Sequence, residues 1–466
     1  MEKRKLEDVI VAPATPPGVS ALAIIRLSGK DAIKVTQKVF VGKNLLDQPS
    51  HTIHFGLIRD GEETIDEVVV SVFREPNSFT KENCVEISCH GSNVIIQQII
   101  NALIKNGATL AGPGEFTKRA FLNGRFDLAQ AEAVADLINS ETDNARQAAL
   151  NQMRGGFSKE IQRLREELIQ FASLIELELD FGEEDVEFAK REDLKNLILK
   201  IQSFLQTLIQ SFQQGNVIKN GVPTVIAGKP NAGKSTLLNV LLNEEKAIVS
   251  ELNEEKAIVS EIAGTTRDVI EDEMILGGIN FRFIDTAGLR ETTDTIEAIG
   301  VGRTKEQLKK AALVLYLIDL ANTNLSEIHS ELKALGDLTM PIIKVGNKVD
   351  KADPALLRQL EAQDFLFISA TKKTNLHALQ ERILSKFHVD HVKQGDLVIT
   401  NLRHYQSLLQ THEALDRVLK GMDTGVTGDF LAMDVRNALY HLGLITGQIS
   451  TEDLLENIFS KFCIGK

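Results

Sequence analysis

No stretch of this chain is apolar for long enough to cross a membrane. The longest such run, Ala311–Leu320, is broken by Asp319 and falls far short of the ~20 residues a spanning helix needs. The opening residues, Met1-Glu-Lys-Arg-Lys-Leu-Glu-Asp8, mix charges and lack the apolar core of a secretion signal. Cysteine is scarce. Cys84, Cys89 and Cys463 cannot form a disulfide framework, and their spacing suits no metal. Positive charge is also short: 52 Lys and Arg against 65 Asp and Glu leave a formal charge of −13. That argues against broad non-specific binding to nucleic acid but leaves room for a local basic groove. These absences predict a cytoplasmic protein with no membrane contact. Apolar content of 43% and charged content of 25% are those of a globular protein. A length of 466 residues suggests about three domains.

The periodicity changes along the chain. Residues 1–122 read as a small α+β domain: Ala21–Leu27, Glu67–Phe73 and Val85–Cys89 have strand character, Asp31–Phe40 and Asn93–Lys105 helical spacing. Arg26 and Glu86 interrupt two of those strands, so each is either an exposed edge charge or one that needs a partner or ligand. Residues 123–216 are helical and free of proline from Phe126 to Gln214. Leu128, Ala131, Ala135 and Ile138 form a stripe that Leu164, Leu168 and Phe171 continue. Asp180–Glu187 is an acidic break, read as a solvated loop or helix end. Helical character stops before Val217 and resumes at Asn401, with Leu402, Leu408, Leu409 and Leu415, then Leu439, Leu442, Leu454, Leu455 and Ile458. Between them, residues 217–386 alternate strand and helix as a doubly wound α/β domain. Its candidate strands are Thr224–Ala227, Phe281–Asp285, Leu313–Asp319, Ile342–Gly346 and Phe365–Ser369. The expectation is an α/β domain inserted into one all-α domain whose second part is residues 387–466.

Chemistry gathers in the inserted domain. Gly228, Gly233, Lys234 and Ser235 fit the phosphate-loop pattern G-x-x-x-x-G-K-[ST] between a strand and a helix. Glycines let backbone N–H groups approach phosphates, the lysine serves the outer phosphates, and the Ser235 hydroxyl suits Mg²⁺. Gly264-Thr-Thr-Arg-Asp268 follows, with Thr266 as the second Mg²⁺ candidate. Asp285-Thr-Ala-Gly288 ends a strand, where the carboxylate can reach Mg²⁺ through water and the Gly288 amide can sense a γ-phosphate. Asn347-Lys-Val-Asp350 comes next. An aspartate accepting two N–H bonds from guanine's edge would reject adenine, and Ser369-Ala370 suits a backbone contact to the guanine oxygen. Four such motifs in order, each after a strand, predict GTP binding. For hydrolysis, Leu289 stands where many GTPases have a water-orienting glutamine. Asn231 could hold a monovalent cation against the phosphates, and Glu297 could act as a general base through water. By its own pattern Glu297 is one of many exposed glutamates.

A decapeptide is repeated without change: Leu242–Glu251 and Leu252–Glu261. One tandem copy is not a solenoid, and lengthening a loop is cheap. The second copy, contiguous with Gly264, is expected to hold the native register.

Seven stretches together resemble the tRNA-modification GTPases of the MnmE (TrmE) family, within the TrmE-Era-EngA-YihA-Septin-like group. They are Ala14-Thr-Pro-Pro-Gly18, Asn77-Ser-Phe-Thr80, Gly112-Pro-Gly-Glu-Phe116, Phe121-Leu-Asn-Gly124, Leu128-Ala-Gln-Ala-Glu132, the GTPase set and Phe462-Cys-Ile-Gly-Lys466. The resemblance implies a homodimer with an N-terminal folate-binding and dimerisation domain, and a helical domain interrupted by the G domain. It implies action on tRNA with the flavoprotein MnmG, in a heterotetramer. The product is a carboxymethylaminomethyl or aminomethyl group at C5 of the wobble uridine, built from a one-carbon tetrahydrofolate (5-formyl or 5,10-methylene). It implies a GTP site of Asn231, Ala232, Gly233, Lys234, Ser235 and Thr236, then Ser260, Glu261, Ile262, Ala263, Gly264, Thr265 and Thr266. Asp285, Thr286, Ala287, Gly288, Asn347, Lys348, Asp350, Ser369 and Ala370 complete it. Potassium would sit on Asn231, Ser260, Ile262 and Thr265 in place of an arginine finger, with Asn231, Lys234 and Glu297 catalytic. Arg26, Glu86, Arg125 and Lys466 match folate-contacting positions; Arg125 replaces a customary lysine. Cys463 matches a family cysteine, though a buried free thiol is the general expectation for such a residue. The alternative is a ribosome-assembly GTPase of the Era-like kind, but no Gly-x-x-Gly loop lies in a basic context.

Overall fold

A computed structural model describes residues 8–180, 191–252, 272–284, 310–335, 340–387, 389 and 391–465. Two compact units emerge: residues 1–139, 149–207 and 406–466 in one, 140–148 and 208–405 in the other.

The first unit opens with a seven-stranded sheet, ordered β3-β4-β5-β6-β2-β1-β7. Its strands are β1 Val9–Pro13, β2 Ser20–Ser28, β3 Phe40–Val41, β4 Thr52–Asp60, β5 Glu63–Phe73, β6 Cys84–Gly91 and β7 Ala108–Leu110. All pairings are antiparallel except β1 with β7. Helices α1 (Ala32–Val39) and α2 (Asn93–Lys105) seal one face, where Ile25, Leu27, Val70, Ile87, Ile99 and Leu103 are buried. On β4, Ile53 and Phe55 point to the other face and are 69% and 68% exposed, with Val69 opposite Phe55.

The sheet runs into helices: α3 (Glu115–Leu122), α4 (Leu128–Ile138), α5 (Asp143–Met153), α6 (Gly156–Asp180) and α7 (Arg191–Asn220). Asp127 starts α4 with a capping box: its side chain accepts from the Gln130 N–H, and the Gln130 side chain accepts from the Asp127 N–H. The predicted stripe on this helix is half right. Leu128 and Ala131 are buried, whereas Ile138 is 45% exposed because the helix ends there, at Asn139. Arg119 on α3 is almost wholly buried, its charge met by Glu82 and Glu115 and by the Asp8 carbonyl. A cation so placed without partners would be prohibitive.

Helix α7 corrects another expectation. It passes residue 216 and ends at Asn220, with Gly215 inside it. A Cβ on Gly215 would lie 2.1 Å from the Ile399 carbonyl oxygen, so this glycine allows close approach of two backbones.

The second unit holds a six-stranded sheet, ordered β13-β12-β11-β8-β10-β9. The strands are β8 Val222–Ala227, β9 Asp272–Leu276, β10 Ile279–Phe283, β11 Leu313–Asp319, β12 Ile342–Asn347 and β13 Phe365–Phe367. Sequence pattern located five of them to within a few residues. It missed β9, an edge strand antiparallel to β10 and rich in charge. Helix α8 (Lys234–Leu252) follows β8; α9 (Leu325–Leu335), α10 (Pro354–Glu361) and α11 (Leu376–Leu384) follow the later strands. Leu237, Leu241, Leu379 and Ile383 cover one face, Ile328 and Leu360 the other. Strands buried on both sides read as continuous apolar runs, as Leu313–Ile318 does. The first decapeptide copy lies within α8, and the second lies outside the described residues apart from Leu252.

Three more helices complete the first unit's chain: α12 (Leu402–Asp423), α13 (Gly428–Thr446) and α14 (Glu452–Phe459). Leu408, Leu415, Leu442, Leu455 and Ile458 are buried as the pattern required, while Leu402 is 56% exposed in the first turn of α12.

Candidate functional site

Strand β8 lies between β11 and β10, so successive connections leave it in opposite directions. In an open α/β sheet that is where ligands gather, beyond the carboxyl ends of the strands. Residues 228–233 form the loop there. Gly228 has φ 146 and Gly233 φ 95. A Cβ on Gly228 would lie 2.2 Å from the Leu317 carbonyl oxygen, and one on Gly233 2.3 Å from Asn347 Nδ2. Only glycine meets both demands. Asn231 is also left-handed, at φ 62, a conformation asparagine tolerates better than most residues.

Lys234 opens α8 and folds back onto its own loop, its ammonium donating to the carbonyls of Gly228 and Lys229 at 2.9 Å each. Burial without a counter-charge pushes its pKa below the usual lysine value. A half-buried cation held, among the described residues, by carbonyl dipoles alone is ready for an anion. Lys229 itself pairs with Glu331 of α9 at 2.7 Å, and Glu331 also accepts from the Tyr316 hydroxyl.

The Asn347–Asp350 loop leaves β12 two strands from β8. Asn347 is buried and bridges two loops: its Nδ2 donates to the Ala232 carbonyl at 2.8 Å, and its Oδ1 accepts from the Ala370 N–H at 3.0 Å. Lys348 donates to the Asn231 carbonyl at 3.0 Å and to Asp319 at 2.7 Å. Asp350 is exposed. The Ser369 hydroxyl, donating to it, outweighs a smaller desolvation and holds its carboxyl below the usual range. Ser369 and Ala370 are buried beside it, at the end of β13. Residues far apart in sequence thus meet around one cleft: Asn231 to Thr236, Asn347 to Asp350, and Ser369 with Ala370. Ser260, Glu261, Ile262, Ala263, Gly264, Thr265, Thr266, Asp285, Thr286, Ala287, Gly288 and Glu297 lie outside the described residues, as does Lys466.

A second constellation sits on the first unit's sheet. Arg26 and Glu86 face each other across β2 and β6, both interior strands, so the edge-charge reading fails. Arg26 Nε and Nη2 reach Glu86 Oε1 at 2.9 and 2.8 Å, and Arg26 Nη1 lies 3.4 Å from the Gly465 carbonyl. The Arg26 guanidinium lies over Phe79 and Phe116, and Arg125 over Phe79 and Phe126. Arg125 also donates to the Ser78 carbonyl. Gly465 is buried with φ 95, and a Cβ on it would sit 2.0 Å from the Pro13 carbonyl oxygen. The last turns of the chain are thereby drawn to the end of β1, with Ile464 bridged to Pro113. Cys463, expected to be buried, is exposed and free: it follows the end of α14, and its carbonyl accepts from the Gly114 N–H.

Some residues of these sites carry no sequence signal of their own. Phe79 and Phe116 come from stretches that matched as motifs, but their position around Arg26 depends on the sheet register. Asp319 is legible only as a strand-terminal carboxylate, the class of position where the motif residues also lie.

Comparison with known proteins follows the same division. A family model described as the MnmE helical domain matches residues 128–463, and one for the GTP-binding protein TrmE N-terminus matches residues 9–125. A tRNA modification GTPase MnmE of Cytophaga hutchinsonii is 57% identical over 460 residues, 98% of either chain. A protein of the same description from Christiangramia forsetii is 50% identical over 483 residues, covering 99% of this chain and 100% of its own. Another from Bacteroides fragilis is 49% identical over 479 residues, with the same coverage.

Proposed function

This chain belongs to the MnmE family of tRNA modification GTPases, and from that premise we propose that it couples GTP hydrolysis to remodelling of the wobble uridine. With the flavoprotein MnmG it adds a carboxymethylaminomethyl or aminomethyl group at C5. The observation that carries this reading is the meeting of the phosphate loop, the Asn347–Asp350 loop and Ser369-Ala370 at neighbouring strand ends.

Within the cleft, Gly228 and Gly233 let the loop's N–H groups close on phosphates. Lys234 exchanges its carbonyl partners for phosphate oxygens, regaining the charge that burial disfavours. Asp350, kept ionised, accepts the two N–H groups of guanine, and the buried Ala370 backbone meets the guanine oxygen. Ser235 with Thr266 is the proposed Mg²⁺ pair, and the ion would neutralise charge spread over the outer phosphates. The Asn231 carboxamide makes no hydrogen bond among the described residues, so its oxygen is free to take K⁺. That ion, shared with Ser260, Ile262 and Thr265, would supply the positive charge an arginine supplies elsewhere. Glu297 is the proposed general base.

The Arg26–Glu86 pair suits a folate. Glu86 keeps Oε2 unengaged among the described residues, able to accept from a pterin, while Phe79 and Phe116 offer aromatic faces. Arg125 and Lys466 would complete the site, and the folate would supply the one-carbon unit. The exposed Ile53, Phe55 and Val69 of the same sheet support a homodimer, since a second copy would cover them. A cytoplasmic location fits the use of tRNA and GTP.

The test is reconstitution. The full chain, its flavoprotein partner, unmodified tRNA, GTP, 5,10-methylene-tetrahydrofolate and either ammonium or glycine are combined, and nucleosides are read by mass spectrometry. A C5-modified uridine that needs both proteins is expected; none with either nitrogen donor would refute the proposal.

A further inference from the structure

Asp319 ends β11, and its register partner across β12 is Asn347, first residue of the guanine loop. Its carboxylate is 13% exposed and takes three donors. Lys348 at 2.7 Å and the Asn322 amide at 2.9 Å share Oδ2; the Ala321 N–H reaches Oδ1 at 3.0 Å. Burial alone would push this carboxyl up, but the bonds from Lys348, Asn322 and Ala321 together outweigh it and hold the group ionised.

Lys348 stands in the left-handed region, at φ 61. For a residue with a long side chain that conformation is held by its surroundings or not at all. The Lys348 carbonyl accepts from the Lys351 N–H at 2.9 Å, and its ammonium is held by Asp319 on one side and the Asn231 carbonyl on the other. Its neighbour Asn347 holds the next carbonyl of the same loop, that of Ala232. Base-recognition loop and phosphate loop are thus tied at two successive residues. One tie depends on a flexible cation, 29% exposed, that Asp319 alone fixes by charge among the described residues.

We propose that Asp319 is a positioning residue for nucleotide retention: through Lys348 it clamps the guanine loop to the phosphate-loop backbone. The inference rests on reading the cleft as a guanine-nucleotide site and adds the residue that makes its two halves act together. Without the clamp, Lys348 swings into solvent, the Asn231 carbonyl loses its donor, and nucleotide leaves faster. Lys348 touches only the backbone carbonyl of Asn231, and bound nucleotide fixes the loop that carries the Asn231 carboxamide, so the chemical step is unaffected once the site is filled.

The experiment is stopped-flow release of the fluorescent nucleotide mant-GDP from the full-length protein, with melting temperatures recorded in parallel. Asp319→Asn should speed release about tenfold, the scale of a lost charged hydrogen bond. KM for GTP should rise to match while kcat at saturation stays within about twofold. Lys348→Met should speed release similarly, and adding Asp319→Asn to it should change release by less than about twofold, because the two act in series. Asn322→Ala, which removes a different donor from the same carboxylate, should release at close to the wild-type rate. Should Asp319→Asn fail to fold, Asp319→Ser takes its place, with the same tenfold acceleration expected. Wild-type release from the folded Asp319 variant, or effects that multiply in the double variant, would overturn the proposal. A general loss of packing would lower melting temperature and multiply. Asp350→Asn separates the two levels of inference. If it fails to shift preference towards xanthine nucleotides, the reading of the cleft fails; if it succeeds and the cycle multiplies, only the role of Asp319 fails.

Discussion

Gly233→Ala is the substitution whose cost the structure defines most closely. Gly233 sits at φ 95, where an L side chain costs about 1–2 kcal/mol. The new Cβ would fall 2.3 Å from Asn347 Nδ2, so the carboxamide must move off the Ala232 carbonyl it now holds at 2.8 Å. Losing that buried bond adds about 1–2 kcal/mol. In the free protein the loop relaxes and hides part of this. Bound nucleotide fixes the loop, so the strain surfaces in affinity. A total of about 2–4 kcal/mol corresponds to a roughly 30- to 700-fold weaker Kd for GDP at 1.4 kcal/mol per decade. Fluorescence titration with mant-GDP reads the change directly, and circular dichroism shows whether the variant is folded. A folded variant that binds GDP within threefold of wild type would refute the argument that this glycine is required by φ and by contact with Asn347.

Other consequences are equally specific. Burial lowers the Lys234 pKa, so between that value and the ordinary lysine range the unfolded chain holds more protons and rising pH stabilises the free protein through this group. Bound phosphate restores the charge, and GDP binding at a pH just below the ordinary lysine range should therefore take up part of a proton. Calorimetry in two buffers of different ionisation enthalpy measures it, and uptake undiminished in Lys234→Ala would contradict the assignment. Glu86→Gln breaks a pair whose side chains are 23% and 28% exposed, so stability should fall by about 1 kcal/mol or less. Affinity for 5-formyl-tetrahydrofolate should fall about tenfold or more if the pair binds folate; unchanged affinity in a binding titration would remove the site. GTP turnover should be faster in KCl than in NaCl, and Asn231→Ala should abolish the difference. Equal rates in both salts would eliminate the cation mechanism.

The strand ends and loops of the proposed nucleotide site were legible because the chemistry proposed for them restricts residue type locally. The turns at Gly228 and Gly233 admit no other residue, and the described motifs stand at the ends of apolar strands that announce themselves. The N-terminal sheet was less so. Strand β4 carries Ile53 and Phe55 on its exposed face and His54 on its buried one, reversing the alternation by which strands are recognised. Arg26 and Glu86 lie sixty residues apart, and only the β2–β6 register shows that they form a pair. The end of α7 was misplaced because Gly215 serves a backbone contact with Ile399 instead of stopping the helix. Ile138 and Leu402 carry apolar stripes into the terminal turns of their helices, where both are exposed, and periodicity holds no information about that. Asp319 sits in the longest apolar run as an apparent interruption; its role depends on facing Asn347 across two strands.

The measurement that goes to the centre of this account is nucleotide selectivity of the Asp350→Asn variant. Asp350 lies exposed in the cleft, ionised with the help of Ser369 and backed by the buried Ala370. Exchanging its carboxylate for an amide exchanges an acceptor for a donor at the purine's edge. Competition titration should show GDP affinity falling by about two orders of magnitude while XDP affinity rises. Retention of wild-type GDP affinity, with no gain for XDP, would mean that the assembled strand ends do not read guanine.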